Sequence, residues 1–271
     1  GGGGGGRVAL EADTTGFSGQ VSVAGGGHGG SGSAGLPGTY ALNMQDATRF
    51  VFTSAEQSMS VLDTSQAFTI RLESATGEAV SVAGQALAVE LYSSNDSGLF
   101  STSANFDEPV DRVFIPSGES GAQFYYRDTR SGSAMISAGG PVAGGIEVAE
   151  QSIELSPGPG TDLVITSLSI NVVEGGISEA ITIERRDIYG NAAINGDLEV
   201  RMESGSDTGR FDTEASGNFE SESLLVLIPD HQSDTFVYYG DSTVGVFELH
   251  AIDPEGVLNT GTRMVNVAPE S

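Results

Sequence analysis

FYYRDTRSGSAMISA, residues 124–138, has a counterpart in VYYGDSTVGVFELHA, residues 237–251. Both hold Tyr-Tyr-x-Asp ahead of an alternating run, 113 positions apart. Working outward, Phe68-Thr69-Ile70-Arg71-Leu72 aligns with Ile181-Thr182-Ile183-Glu184-Arg185 at the same offset, and Ala75-Thr76-Gly77-Glu78-Ala79 with Ile188-Tyr189-Gly190-Asn191-Ala192. Leu87-Ala88-Val89-Glu90-Leu91 meets Leu198-Glu199-Val200-Arg201-Met202, and Gly98-Leu99-Phe100-Ser101 meets Gly209-Arg210-Phe211-Asp212, at 111. Ile115-Pro116 meets Ile228-Pro229 at 113, and Ile153-Glu154-Leu155-Ser156-Pro157 meets Val265-Asn266-Val267-Ala268-Pro269 at 112. Order is kept and the offset drifts by only two residues, so the chain holds a tandem duplication.

Each unit alternates with period 2. Phe68, Ile70 and Leu72 share a face, as do Leu87, Val89 and Leu91, and Ala134, Ile136 and Ala138. Ile181 and Ile183, Leu198 and Val200, and Phe247, Leu249 and Ala251 repeat this in the second unit. Alternation predicts half-buried strands. Turn clusters lie at 75–78, 93–98, 117–121 and 187–191. About seven short strands in roughly 110 residues predict a Greek-key sandwich of immunoglobulin type. Pro116 and Pro229 fall where a strand ends, since a missing N–H costs least there.

The turn Asp187-Ile188-Tyr189-Gly190-Asn191, the Gly-x-Phe segments at 98–100 and 209–211, the Ile-Pro pairs and the Tyr-Tyr-x-Asp strands resemble bacterial Ig-like repeats. Such repeats stand in tandem in large secreted and outer-surface proteins, invasin-like adhesins among them. The resemblance covers about residues 49–269 and implies a spacer or binder at a cell surface. The first unit departs from it, with Ala75-Thr76-Gly77-Glu78 where the turn should carry Tyr and Asn.

Residues 1–38 hold 16 of the 39 glycines. Short alternations remain among them: Val8 and Leu10, Val21 and Val23, Tyr40 and Leu42. The segment resembles the glycine-rich final coils of surface-protein β-helices, with a flexible tail as the bland alternative. The expected organisation is a Gly-rich, solenoid-like segment over 1–48, a sandwich over 49–157, a linker at 158–161 and a second sandwich over 162–271. The chain starts at Gly1 without Met or signal peptide and stops just past the last strand, so it reads as a piece of something longer.

The formal charge is −26 and the sequence pI about 4.1. That field repels nucleic acid and anionic membranes, and no apolar run reaches the roughly 20 residues of a span. There is no Cys, so no disulfide or thiol chemistry. All 11 basic residues are Arg; without Lys there is no Lys–Asn isopeptide bond, Schiff base or phosphate-loop lysine.

Catalytic constellations are not found. Gly27-His28-Gly29-Gly30-Ser31-Gly32 satisfies GxGxxG only as any glycine run does. His28, His231 and His250 sit in no repeated motif and read as solvated. Thirty-seven acidic residues give close pairs by chance, so none is nominated as a glycosidase pair. Calcium suits this composition better, since it takes six to eight oxygen ligands from carboxylates and loop carbonyls. The candidate ligands are Asp96, Asp107, Glu108, Asp111, Asp187, Asp207 and Asp212, which would have to converge from separate loops. Asp128 and Asp241 recur at one position and are expected to accept loop amides or pair with Arg127 or Arg130. Of each tyrosine pair, one should face the core, its hydroxyl tied to backbone as in a tyrosine corner.

The expected function is non-enzymatic: a structural or adhesive segment of a large bacterial extracellular or cell-surface protein, its modules acting as a rod stiffened by prolines and, if present, Ca2+. Its partners would be neighbouring modules, other copies, or a host protein or glycan, with neither nucleic acid nor membrane insertion. The alternatives are a filament or sheath subunit pairing through edge strands, and a carbohydrate-binding module with an exposed aromatic row.

Overall fold

The computed structural model describes residues 47–140 and 145–270. The solenoid-like reading of the glycine-rich segment, with Val8 to Tyr40, lies outside them. The described chain is all β, and among these residues no helix is long and apolar enough to cross a membrane.

The first module runs β1 (Ala47–Phe52), β2 (Gln57–Ser60), β3 (Phe68–Ser74), β4 (Leu87–Ser93), β5 (Leu99–Ser101), β6 (Arg112–Ile115), β7 (Gly121–Arg127), β8 (Gly132–Gly139) and β9 (Ala149–Ser156). The second runs β10 (Gly160–Ile165), β11 (Ile170–Val173), β12 (Ile181–Asp187), β13 (Leu198–Ser204), β14 (Arg210–Asp212), β15 (Ser223–Ile228), β16 (Asp234–Gly240), β17 (Gly245–Ile252) and β18 (Gly261–Ala268). Sheets β1-β3-β7-β5 and β2-β9-β8-β4-β6 form one sandwich; β10-β12-β16-β14 and β11-β18-β17-β13-β15 repeat that order strand for strand. Both modules are Ig-like sandwiches, and the duplication extends to register. A bulge falls between Ala47 and Arg49 in β1, and between Gly160 and Asp162 in β10.

The strands outnumber the seven expected per unit for a physical reason. The first strand of each module splits, pairing antiparallel to one sheet (β1 with β3, β10 with β12) before crossing over. It then continues in the other sheet, parallel to the last strand (β2 with β9, β11 with β18). The crossovers Thr53–Glu56 and Thr166–Ser169 are mostly polar and show no alternation. The strands β5 and β14, of three residues each, are too short to carry a periodic signal.

Each module has its own core, and the alternation places it. Phe68, Ile70, Leu72, Val89, Ile136 and Ile153 fill the first; Ile181, Ile183, Val200, Leu249 and Val265 fill the second. The strands β6 and β15 end at Ile115 and Ile228, immediately before the two prolines. Only residues 157–159 separate the last strand of the first sandwich from the first strand of the second, so Gly160 and Thr161 are strand residues rather than linker.

Candidate functional site: the joint between the two modules

The Tyr-Tyr-x-Asp stretch organises the far end of each module, where its last strand leaves. Tyr126 and Tyr239 are fully buried, while Tyr125 and Tyr238 are half-buried. The buried hydroxyls do not bond backbone as in a tyrosine corner. Tyr126 donates to Asp128 Oδ2 (2.6 Å) and Tyr239 to Asp241 Oδ2 (2.6 Å), and each also meets a serine, Ser93 (2.8 Å) or Ser204 (2.9 Å). A carboxylate two residues ahead is a stronger acceptor than a carbonyl, which is why it captures the proton. The Asp128 carboxylate also accepts from Asn95 Nδ2, Ser97 Oγ and the Arg130 amide; Asp241 accepts from Thr208 and the Thr243 amide. Neither pairs with an arginine side chain among the described residues. Burial pushes both carboxyls up, but the hydrogen bonds outweigh it and hold them below the usual range. Burial and the adjacent carboxylate push both tyrosine hydroxyls up.

Gly98 and Gly209 permit this packing. A Cβ at Gly98 would stand 2.6 Å from the Tyr126 hydroxyl, and one at Gly209 2.5 Å from that of Tyr239. The Gly-x-Phe motif is therefore a close-approach glycine followed by a core residue, Phe100 or Phe211.

This far end of the first module meets the near end of the second. Asn191 Nδ2 donates to Thr129 O (2.9 Å) and its Oδ1 accepts from the Ser131 amide (3.0 Å), both in the turn held by Asp128. Asp187, 2% exposed, orients Asn191. It accepts from Asn191 Nδ2 (2.9 Å), from the Tyr189 and Asn191 amides (2.9 Å each) and from the linker amide of Gly158 (2.8 Å). Burial pushes Asp187 up; bonds from Asn191, Gly158 and Tyr189 more than reverse it, so its carboxyl lies below the usual range. Gly158 is itself buried, and a Cβ there would lie 3.4 Å from Leu62 of the first module and 3.5 Å from Asp187 of the second. The joint thus bonds through one amide side chain and one linker amide, both set by one carboxylate.

Two further buried charges order the same end. Arg185, 4% exposed, donates to the carbonyls of Ala193 (3.1 Å), Asn195 (2.7 Å), Gly196 (3.0 Å) and Gln232 (3.0 Å). Asp253 accepts from the amides of Glu255, Val257 and Leu258 at 2.8–2.9 Å. Sequence reasoning missed both. Arg185 stands where the first unit has Leu72, and that break in an apolar pattern was the available signal.

The proposed calcium ligands are dispersed. Asp96, Asp107, Glu108 and Asp207 lie exposed, Asp107 accepting from Ser103 Oγ (2.8 Å). Asp111 pairs with Arg112 (2.9 Å). Asp212 accepts from the Glu214 (3.1 Å) and Phe219 (3.4 Å) amides and caps its own loop. Asp187 is committed to the joint. Among the described residues no three of His, Asp and Glu converge in a way that could hold a metal ion. His231 stands exposed beside Asp230, and His250 is half-buried beside Glu248. The exposed Phe236 and the half-buried Tyr238 neighbour one another on β16, but their rings are nearly perpendicular (83°) and offer no shared flat face.

No family model matches the sequence, and no curated protein does. Among solved structures the chain is similar to the Yersinia pseudotuberculosis adhesin InvE (16% identity, TM-score 0.31), covering 83% of this chain and 60% of that one. It is also similar to the Escherichia coli adhesin FdeC (12%, TM-score 0.39; 86% and 67%) and to a Bacteroides vulgatus beta-glycosidase (12%, TM-score 0.34; 81% and 25%). The chain thus spans less than two thirds of the InvE chain and about a quarter of the glycosidase chain. Scores this low accompany proteins of differing activity.

Proposed function

We propose that this chain is a non-enzymatic rod segment of a bacterial extracellular or cell-surface protein, two Ig-like modules held at a set angle by the Asp187–Asn191 joint. The carrying observation is that Asn191 bonds main chain of the first module at both ends of its amide, while Asp187 fixes the linker at Gly158. A flexible string of beads needs neither. Each bond contributes about 0.5–1.5 kcal/mol net. The modules are tethered, so docking loses little translational freedom. Two bonds to the first module, about 1–3 kcal/mol, then favour the docked state roughly 5- to 150-fold. The charge of −26 suits a soluble segment and provides no attraction for nucleic acid or anionic lipid.

The test is residual dipolar couplings with 15N relaxation on the whole chain. One shared alignment tensor and one tumbling time for both modules, separating in Asn191→Ala, support the rod. Two independent tensors in the unaltered chain overturn it. Sedimentation at rising concentration addresses the filament alternative, which requires polymers.

A further inference from the structure

The second module repeats the far end of the first. The turn after Tyr239 is held as the turn after Tyr126 is: Asp241 Oδ1 accepts the Thr243 amide at 2.9 Å, as Asp128 Oδ1 accepts the Arg130 amide at 2.9 Å. In the first module this turn offers Thr129 O and Ser131 N to Asn191. By register the second offers Ser242 O and Val244 N, since Gly245 opposite Val267 corresponds to Gly132 opposite Leu155. Both groups belong to main chain, so the change of side chains leaves them available. Among the bonds of the described residues neither takes a partner, although Ser242 and Val244 lie exposed.

A second observation points the same way. Three residues at this end are apolar and open to solvent: Val173 (50%), Ile177 (46%) and Val244 (46%). Their counterparts in the first module are Ser60, Thr64 and Ser131. Apolar side chains exposed together beside unpaired main-chain groups mark a surface that gains from being covered.

We propose that the far end of the second module is a docking site for a further β-sandwich module presenting an Asp-x-x-Gly-Asn turn. The inference rests on the rod reading, because the joint at 129–131 is its template. The occupant is specified by chemistry. One side chain must donate to Ser242 O and accept from Val244 N, which an amide does and a carboxylate does not. The 187–191 turn has that amide, oriented by its own Asp. The equivalent turn of the first module, Ser74 to Glu78, has neither the Asp nor the amide. The chain's own Asn191 is already engaged. A second copy meeting this one head to tail therefore lacks the key group, and the site selects a module of the second kind.

The experiment extends the full chain: residues 1–269 continued by a second copy of residues 158–271, so that Pro269 takes the place of Pro157. The probe is the appended module itself, read by residual dipolar couplings and the Val244 amide resonance. The expected result is a downfield Val244 shift and one alignment tensor for all three modules. Asn191→Ala in the appended copy alone should abolish both while that module still melts cooperatively, at a somewhat lower midpoint because Asp187 loses one of its donors. An appended module tumbling freely beside an ordered first joint overturns the inference and leaves the rod reading standing. Order that survives Asn191→Ala also overturns it. If both joints are loose, the rod reading fails, and this inference with it.

Discussion

Tyr126 and Tyr239 show how a short motif sets one end of a module. Each buried ring packs against the Phe of the Gly-x-Phe segment, at 5.2 Å in the first module and 5.1 Å in the second, while its hydroxyl serves the Asp two residues on. Tyr126→Phe or Tyr239→Phe keeps the ring but deprives a buried carboxylate of one donor. A loss of about 1.5–3 kcal/mol is expected, read as a lower urea midpoint at unchanged slope. The depressed carboxyls Asp128, Asp187, Asp241 and Asp253 make a pH prediction. A folded pKa below the unfolded value of about 3.9 means stability fully present above that value. It is lost as pH falls through the folded pKa. Urea midpoints should therefore be level from pH 7 to about pH 5 and fall below about pH 4. An Asp128→Asn, Asp241→Asn double variant should be less stable at neutral pH and flatter below it.

At the scale of the element, the duplication preserves geometry more strictly than chemistry. Arg49 stands opposite Glu73 across β1 and β3, and Asp162 stands opposite Arg186 across β10 and β12. The charges are reversed while the register and its bulge are kept. In the first module Arg49 (3.0 Å) and Arg71 flank Glu73; in the second Arg186 turns to Glu184 (2.9 Å) and Asp162 to Asn259 (2.9 Å). The arginines of these pairs reach into solvent, which screens them even where Glu73 itself is buried, so drift between such pairs is tolerated. The glycines allow no such drift. Gly98→Ala and Gly209→Ala place a Cβ against a buried hydroxyl held in place by its bonds to an Asp and a Ser. Each should lower the midpoint of its own module in thermal or urea unfolding, whereas Gly118→Ser, at a positive φ of 90° but with nothing within 4 Å, should cost far less. Much of this level is legible in sequence. Alternation over Phe68–Leu72 or Ala134–Ala138 is the burial pattern itself. The split of β1 from β2 is not legible, because a strand that changes sheets keeps its local preferences and changes only its partners.

The whole molecule is decided at the joint. Asn191→Ala should leave both modules folded and free the angle between them, seen as separate tumbling times. Asn191→Asp should do the same more severely at neutral pH than at pH 4, because it sets a carboxylate against Asp187 and the Thr129 carbonyl. Asp187→Ala strands the Gly158, Tyr189 and Asn191 amides and should both loosen the joint and destabilise the second module, by about 1–3 kcal/mol. Calcium offers a separate check. Stiffness that comes from main-chain bonds to Asn191 should persist in excess chelator. A melting temperature raised by calcium but not magnesium would instead place a cation in the acidic loops. Salt should stabilise the chain modestly by screening its self-repulsion.

By itself the sequence determined the duplication, the β class, the faces of the strands and the ends marked by Pro116 and Pro229. All of these follow from short-range periodicity and from residues with few backbone options. It also marked Asp187 and Asn191 as turn residues and Asp128 and Asp241 as recurrent, without showing that one turn reads the other. Only the tertiary structure decided that. Thr129 and Ser131 lie 62 and 60 positions before Asn191, and two of the three groups that meet are main chain, which carries no sequence signature. The same reasoning separates the seven nominated carboxylates from one another. Their abundance follows from composition, but where each oxygen points depends on the amides that a folded loop turns toward it.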